Sequence, residues 1–151
     1  MAGVAGDVLG GWTSDHLVER TGLTWARRLV AMVGFIGAGG FIMLAINIPA
    51  PELGIGVFAL AVFFLELTVG VSWAVALDIG DEFAGSVSAV MNTTGSIGQT
   101  ASAAGTGYLV TAFGWNVAFS VLGFLGLIGA LLFTRIDASK RVYRDADRTD
   151  A

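Results

Sequence analysis

Cysteine is absent from this 151-residue chain, histidine occurs once, and charged residues make up only 13%. Without cysteine there is no disulfide framework, no thiolate metal site and no cysteine nucleophile. A single histidine, His16, excludes a multi-histidine metal site and leaves the serines of the apolar runs without a nearby base. No phosphate loop is present, and the glycine-rich stretches lie inside apolar helices rather than after a strand, so they are not dinucleotide fingerprints. Neither enzyme chemistry nor a cofactor or metal is therefore expected. Nucleic-acid binding is disfavoured too, because the basic residues near the C-terminus are interspersed with Asp137, Asp145, Asp147 and Asp150. A soluble domain carries roughly 25% charged residues. With 55% hydrophobic residues and a mean hydropathy of +0.77, the chain reads as an integral membrane protein. The opening MAGVAGDVLGG is not a signal peptide, since it lacks a basic region and Asp7 interrupts its apolar run.

What is present is a series of long apolar runs. Residues 1–12 read as the last turns of a helix whose beginning is missing, and 13–28 as a polar loop. Residues 29–48 form an uncharged run of about bilayer length, broken by Asn47, Pro49, Pro51 and Glu52. A second run, 53–77, is interrupted only by Glu66. The acidic DIGDE loop follows, then 84–110, a turn at Gly114, a last span at 115–134 and a charged tail at 135–151 expected to be disordered. The expected fold is an all-α membrane protein with four transmembrane helices and a partial N-terminal helix. Every Lys and Arg lies in 13–28 or 135–151, so the positive-inside rule puts both segments, and the C-terminus, in the cytoplasm, with the plasma (inner) membrane as the expected location. Trp12, Trp25 and Trp115 fall near span ends, where interfacial aromatics sit.

The segment 84–110 differs from the other spans. It has no charge and is full of Gly, Ala, Ser and Thr, with Asn92 and Gln99 in its middle. A lipid-facing helix would be richer in Leu, Ile and Phe, so this composition predicts a helix buried among others, its polar stripe facing a neighbour or a watery cavity. Ser88, Asn92, Ser96 and Gln99 share that stripe on a 3.6-residue period. Counting equal steps from a hairpin turn at Glu82 and Phe83 pairs Trp73 with Asn92, and Glu66 with Gln99, at similar depth.

The run Gly10-Gly11-Trp12-Thr13-Ser14-Asp15, followed by Arg20, Gly22, Arg27 and Arg28, resembles the cytoplasmic loop between helices eight and nine of Major Facilitator Superfamily (MFS) transporters. Asp78-Ile79-Gly80, Ala84-Gly85, Val87-Ser88, Met91-Asn92, Gly95, Gly107-Tyr108 and Gly114-Trp115 are similar to helices ten to twelve of its anion:cation symporter branch, which includes hexuronate, galactonate, sialate and phosphate transporters. The resemblance implies a C-terminal fragment, from the end of helix eight to helix twelve, forming part of the C-terminal six-helix bundle. The implied partners are a small anionic substrate, a co-transported proton or sodium ion, membrane lipid, and the missing N-terminal bundle or another copy. The main coupling acids and a substrate-binding arginine would lie in that missing bundle.

The resemblance implies substrate contact for Trp73 and for Asn92, with Ser96 and Gln99 on the same stripe. The plainer alternatives are a packing tryptophan and an interhelical hydrogen bond. Glu66 has two readings: a proton- or cation-linked group on the cavity wall, or a neutral carboxyl bonded to Gln99 or backbone, which is favoured because the family keeps its coupling acids elsewhere. Gly10 and Gly11 allow close helix contact, and Asp15 is a candidate acceptor for a helix N-terminus. Arg27 and Arg28 either latch two bundles together or act as topology signals only; His16 stands where the family pattern has arginine, which weakens the latch. Gly34, Gly37, Gly40, Gly123, Gly126 and Gly129 are expected to be packing positions. The leading function is secondary transport; the alternative is a small non-transporting membrane scaffold or remnant.

Overall fold

The computed structural model describes residues 1–142 and contains five α-helices: α1 Ala2–Thr21, α2 Leu23–Ala45, α3 Pro51–Gly80, α4 Ala84–Phe113 and α5 Trp115–Phe133. A short 3₁₀ turn, Asp81–Phe83, joins α3 to α4. Among the described residues no strand occurs. Three helical stretches are long and apolar enough to cross a membrane: Leu23–Ala45, Pro51–Phe113 and Trp115–Phe133. The middle one contains both α3 and α4, so the four expected spans correspond to α2, α3, α4 and α5.

The breaks follow local chemistry. Gly22 and Gly114 hold φ of 81° and 88°, a region that L side chains seldom enter, and each ends one helix and caps the next. Pro51 sits at the start of α3, where its missing N–H has no intrahelical partner to lose. The expected loop at 13–28 is not a loop: α1 continues to Thr21 and the turn is Gly22 alone. Polar side chains do not interrupt the i to i−4 ladder, so α1 keeps its helix through Ser14, Asp15 and His16. α3 also extends from 53–77 to Pro51–Gly80, and α4 runs on to Phe113, where Gly114 stops it.

α3 is the central element, flanked by α1 and α2 and touched more lightly by α4; α5 packs mainly on α2. The buried residues of α1 are Gly6, Gly10 and Ser14, one small residue every four. This small stripe lets two backbones touch. A methyl group on Gly6 would overlap the Phe63 carbonyl oxygen, and one on Gly10 that of Leu67; from the other side, one on Gly70 would overlap the carbonyl of Asp7. The second close crossing joins α2 and α5, where a methyl on Gly39 would come within 3.0 Å of the Gly123 carbonyl oxygen. Gly34, Gly37, Gly123, Gly126 and Gly129 meet neighbouring helices as expected, whereas Gly40 faces open space. Glycine spacing gives a stripe without saying which of its members lands on the crossing point.

The apolar core gathers at the basic end: Val30, Ala31, Leu67, Val71, Val75, Phe133 and Ala138. Ala138 lies beyond α5, so the segment after that helix is part of the fold rather than a disordered tail over residues 135–142. Ile136 packs on the core, the Thr24 hydroxyl donates to Asp137 Oδ1 at 2.8 Å, and the Val142 N–H donates to the Ile79 carbonyl at 2.9 Å. Arg141 Nη1 donates to Asp81 Oδ2 at 2.6 Å. The rest of the expected tail, 143–151, lies outside the described residues.

Candidate functional site

Two groups of residues stand apart from ordinary packing. The first is the polar face of α4. This helix has no buried residue, and Asn92, Ser96 and Gln99 are all exposed. It is therefore not buried among other helices of this chain. Its hydroxyls turn back on their own helix: Thr94 donates to Val90 O, Ser96 to Asn92 O and Thr100 to Ser96 O, each at 2.9 Å. Val87 and Met91 of α4 line a cleft of about 320 Å³ with Ser72, Val75, Ile79 and Phe133. Trp73 and Asn92 each follow a residue of that cleft by one position, so both turn out of it onto the open surface. Trp73 is 41% exposed.

Glu66 does not meet Gln99. Its side chain lies half-buried against α1, where a methyl on Gly3 would come within 3.3 Å of Glu66 Cγ and one on Gly6 within 3.0 Å of Glu66 Cβ. Equal step counting fixes depth along a hairpin but not azimuth, and Glu66 points to the opposite neighbour of α3.

The second group is a charged cluster at the basic end. Arg27, only 5% exposed, is held by three side chains from two other helices. Its Nε donates to Asp78 Oδ2 at 2.8 Å, and its Nη1 donates to Ser14 Oγ at 2.8 Å and to Asp15 Oδ1. The fork thus ties α1, α2 and α3 at one point: a guanidinium holds its Nε and Nη donors in a fixed plane on separate nitrogens, whereas an ammonium carries its three donors on one atom. Asp15 accepts from Arg27 instead of from a helix N-terminus. Gly11 has open space where its side chain would be, so the close contact expected of the Gly10–Gly11 pair belongs to Gly10. Arg28 stands apart from this cluster: its Nε donates to the Ile136 carbonyl at 2.7 Å, and its guanidinium carbon lies 5.8 Å from the Trp25 ring centre. His16 stacks on Trp12 with ring centres 5.7 Å apart.

Sequence reasoning missed Ser14, Thr24, Asp137 and Arg141 as partners. Their signal is weak, since each is a single polar residue whose mate lies on another element. Asp137 is held low, at about 2, by hydrogen bonds from the Ser139 hydroxyl, then from Thr24 and the Ser139 N–H. Among the described residues no group of three or more His, Asp and Glu is placed to hold a metal ion.

No family model matches the chain. It is 38% identical over 133 residues to a "Probable sulfoacetate transporter SauU" of Cupriavidus necator, an alignment covering 87% of this chain and 31% of that protein. It is 32% identical over 142 residues to the "Hexuronate transporter" of Bacillus subtilis (88% and 33%) and 26% identical over 135 residues to an "Ascorbate transporter, chloroplastic" of Arabidopsis thaliana (89% and 25%). The chain spans about a third or less of the length of these relatives. Over most of its residues, then, this helical chain is homologous to anion transporters of the MFS type.

Proposed function

We propose that the chain forms the C-terminal part of a secondary transporter for a small organic anion, driven by a co-transported proton or sodium ion through alternating access. The observation that carries this reading is α4: thirty residues, uncharged and rich in hydroxyl and amide groups, with none buried inside the chain. In a bilayer such a helix needs a polar partner or a water-filled cavity on its open side. A second bundle facing α4 provides both, and relatives about three times as long leave room for one. Asn92, Ser96 and Gln99, with Trp73 at the depth of Asn92, would then line one wall of the cavity. The amide of Asn92 and the indole N–H of Trp73 can donate to a carboxylate or sulfonate oxygen. Arg27, Asp15 and Asp78 would hold the cytoplasmic ends of α1, α2 and α3 as a rigid unit while the bundles rock. Glu66, turned toward α1, is read as a structural carboxyl rather than the coupling group.

The test begins with the size of the product made in the cell, read by immunoblot against a tag at the natural C-terminus. The transporter reading expects a band near the size of a full transporter. Uptake of sulfonate and sugar-acid substrates by that product in proteoliposomes should then weaken in Asn92→Ala and Trp73→Ala while the protein level holds. A band near 15.6 kDa together with no uptake by the purified product would favour a non-transporting membrane scaffold. Unchanged uptake in both variants would remove these residues from the cavity wall.

A further inference from the structure

Asp7 stands in the apolar opening of α1, two turns before the Ser14–Asp15 pair that holds Arg27. At the helical rise it lies about 11 Å from that charged cluster, inside the hydrocarbon of a bilayer rather than at its surface. An acid at such depth is costly unless it faces a polar partner or a watery cavity. Asp7 is exposed and makes no hydrogen bond or ion pair among the described residues. Every Lys and Arg lies in 13–28 or 135–151, so no described cation stands at its level.

The contacts on either side give its direction. On α1, Leu9, Thr13 and Leu17 turn toward α2. Asp7 lies on the other side of the Gly6–Gly10–Ser14 seam, against α3. There a methyl on Gly70 would stand 3.0 Å from Asp7 Oδ1 and 3.0 Å from the Gly11 nitrogen. Gly11 and Gly70 have no side chain to cover the carboxylate, so it is bare on that side. On α3, Gly70, Trp73 and Ala76 succeed one another by three residues. Gly70 meets α1, Ala76 lines the cleft with α4, and exposed Trp73 stands between them. Asp7, Trp73 and Asn92 thus border one open face made by α1, α3 and α4, within about one helical turn of each other in depth.

We propose that Asp7 is a specificity-determining residue on the cavity wall, accepting hydrogen bonds from the hydroxyl groups of a polyhydroxylated acid. The inference rests on the transporter reading of α4 and narrows its substrate class. A carboxylate is an acceptor, and the donors that an organic anion brings are its hydroxyls. The acid group of the substrate is repelled by Asp7 and turned toward the N–H donors of Asn92 and Trp73. Between the two ends, Trp73 offers a flat apolar face to the carbon skeleton. A substrate without hydroxyls leaves the acceptor unpaired within the membrane, and an unpaired polar group is what lets a polar site discriminate. Sulfoacetate is the sharpest contrast. It has no hydroxyl and an acid at each end, so one acid faces Asp7 whichever way it lies.

The experiment uses the full product in proteoliposomes and measures exchange of internal for external substrate, which needs no ion gradient. The probes are glucuronate and sulfoacetate, and the unaltered product should show the lower KM for glucuronate. Asp7→Ala should raise the glucuronate KM at least about tenfold, the loss of a hydrogen bond to a charged acceptor, and lower the KM for sulfoacetate. Asp7→Asn has nearly the same shape, keeps one acceptor oxygen and loses the charge. It should raise the glucuronate KM by less and lower the sulfoacetate KM as much, and it carries the test if Asp7→Ala does not insert. A merely structural Asp7 would move both KM values together, and that result would overturn the proposal. A preference of the unaltered product for sulfoacetate would overturn it too. So would unchanged exchange with loss only of gradient-driven uptake, which would make Asp7 a cation-coupling group. Exchange of neither probe by the unaltered product would remove the transport reading and this inference with it, whereas intact exchange with an unshifted ratio in both variants would remove Asp7 alone.

Discussion

Gly10 and Gly11 are adjacent residues of one helix, yet the structure gives them opposite roles, and this pair offers the sharpest test of the α1–α3 seam. A methyl on Gly10 would overlap the Leu67 carbonyl oxygen and stand 2.8 Å from Leu67 Cα and 3.0 Å from its carbonyl carbon, where ordinary contact begins near 3.4 Å. All three atoms are backbone, so no side chain can rotate away and the helices must part by about half an ångström or more. Overpacking of this kind costs about 1–3 kcal/mol. A methyl on Gly11 meets nothing within 4 Å. Both substitutions gain the same helix propensity, about 1 kcal/mol, so this term cancels in the comparison. Gly10→Ala should therefore be less stable than Gly11→Ala by about 1–3 kcal/mol. The assay is unfolding in mixed micelles of increasing sodium dodecyl sulfate, followed by tryptophan fluorescence. Equal midpoints for the two variants would refute backbone contact at Gly10. A stabilised Gly10→Ala would mean that the seam is open.

Further outcomes follow from the charged end. Arg27→Gln leaves two carboxylates facing one another and should cost about 3 kcal/mol, the lower end for a broken buried pair because Asp15 is largely solvated. Arg27→Lys should not restore the loss, since one ammonium cannot replace the fork; full recovery in the same unfolding assay would contradict the three-way geometry. Asp81→Asn should change stability by less than about 1 kcal/mol, because its pair with Arg141 is exposed on both sides. Asp137 titrates below its ordinary value of 3.8, at about 2, so what its carboxylate adds to the segment after α5 is complete above pH 3.8 and lost only as pH falls through about 2. A carboxyl-carbon NMR titration with its midpoint near 3.8 would show that Thr24 and Ser139 do not hold it. Glu66→Gln should leave membrane insertion intact and leave the pH dependence of uptake by the full product unchanged; a shift would return Glu66 to a coupling role.

The spans were legible in the sequence because each is a long apolar run bounded by Gly22, Pro51, Gly114 or the acidic corner, and these features act locally. The charged cluster was half legible. Asp15 and Arg27 could be singled out, but that Arg27 would reach Asp78 and Ser14 depends on how three helices are rotated. Rotation is also what hid the place of Glu66: an acid within an apolar run says that it seeks a neighbour, not which one. The segment after α5 was misread because its composition is charged and short, whereas its fold depends on one small residue, Ala138, entering a gap between helices. Composition averages over such a residue.

Only three residues, Asp81–Phe83, separate α3 from α4, and Asp81 takes the uncommon backbone angle φ of 46° at that corner. The two helices differ sharply in what would drive them into lipid: α3 is apolar almost throughout, while α4 has few large apolar side chains to offer. A helix with so few large apolar side chains gains less from lipid on its own than α3 does, so the short corner favours its entry together with α3. Only the three-residue corner separates it from α3 in the chain, so the two are expected to insert as the limbs of one hairpin, the first limb contributing most of the driving force. Biogenesis of this polar but uncharged helix is in this way helped by the more apolar α3 that precedes it, and the tightness of the corner couples the two.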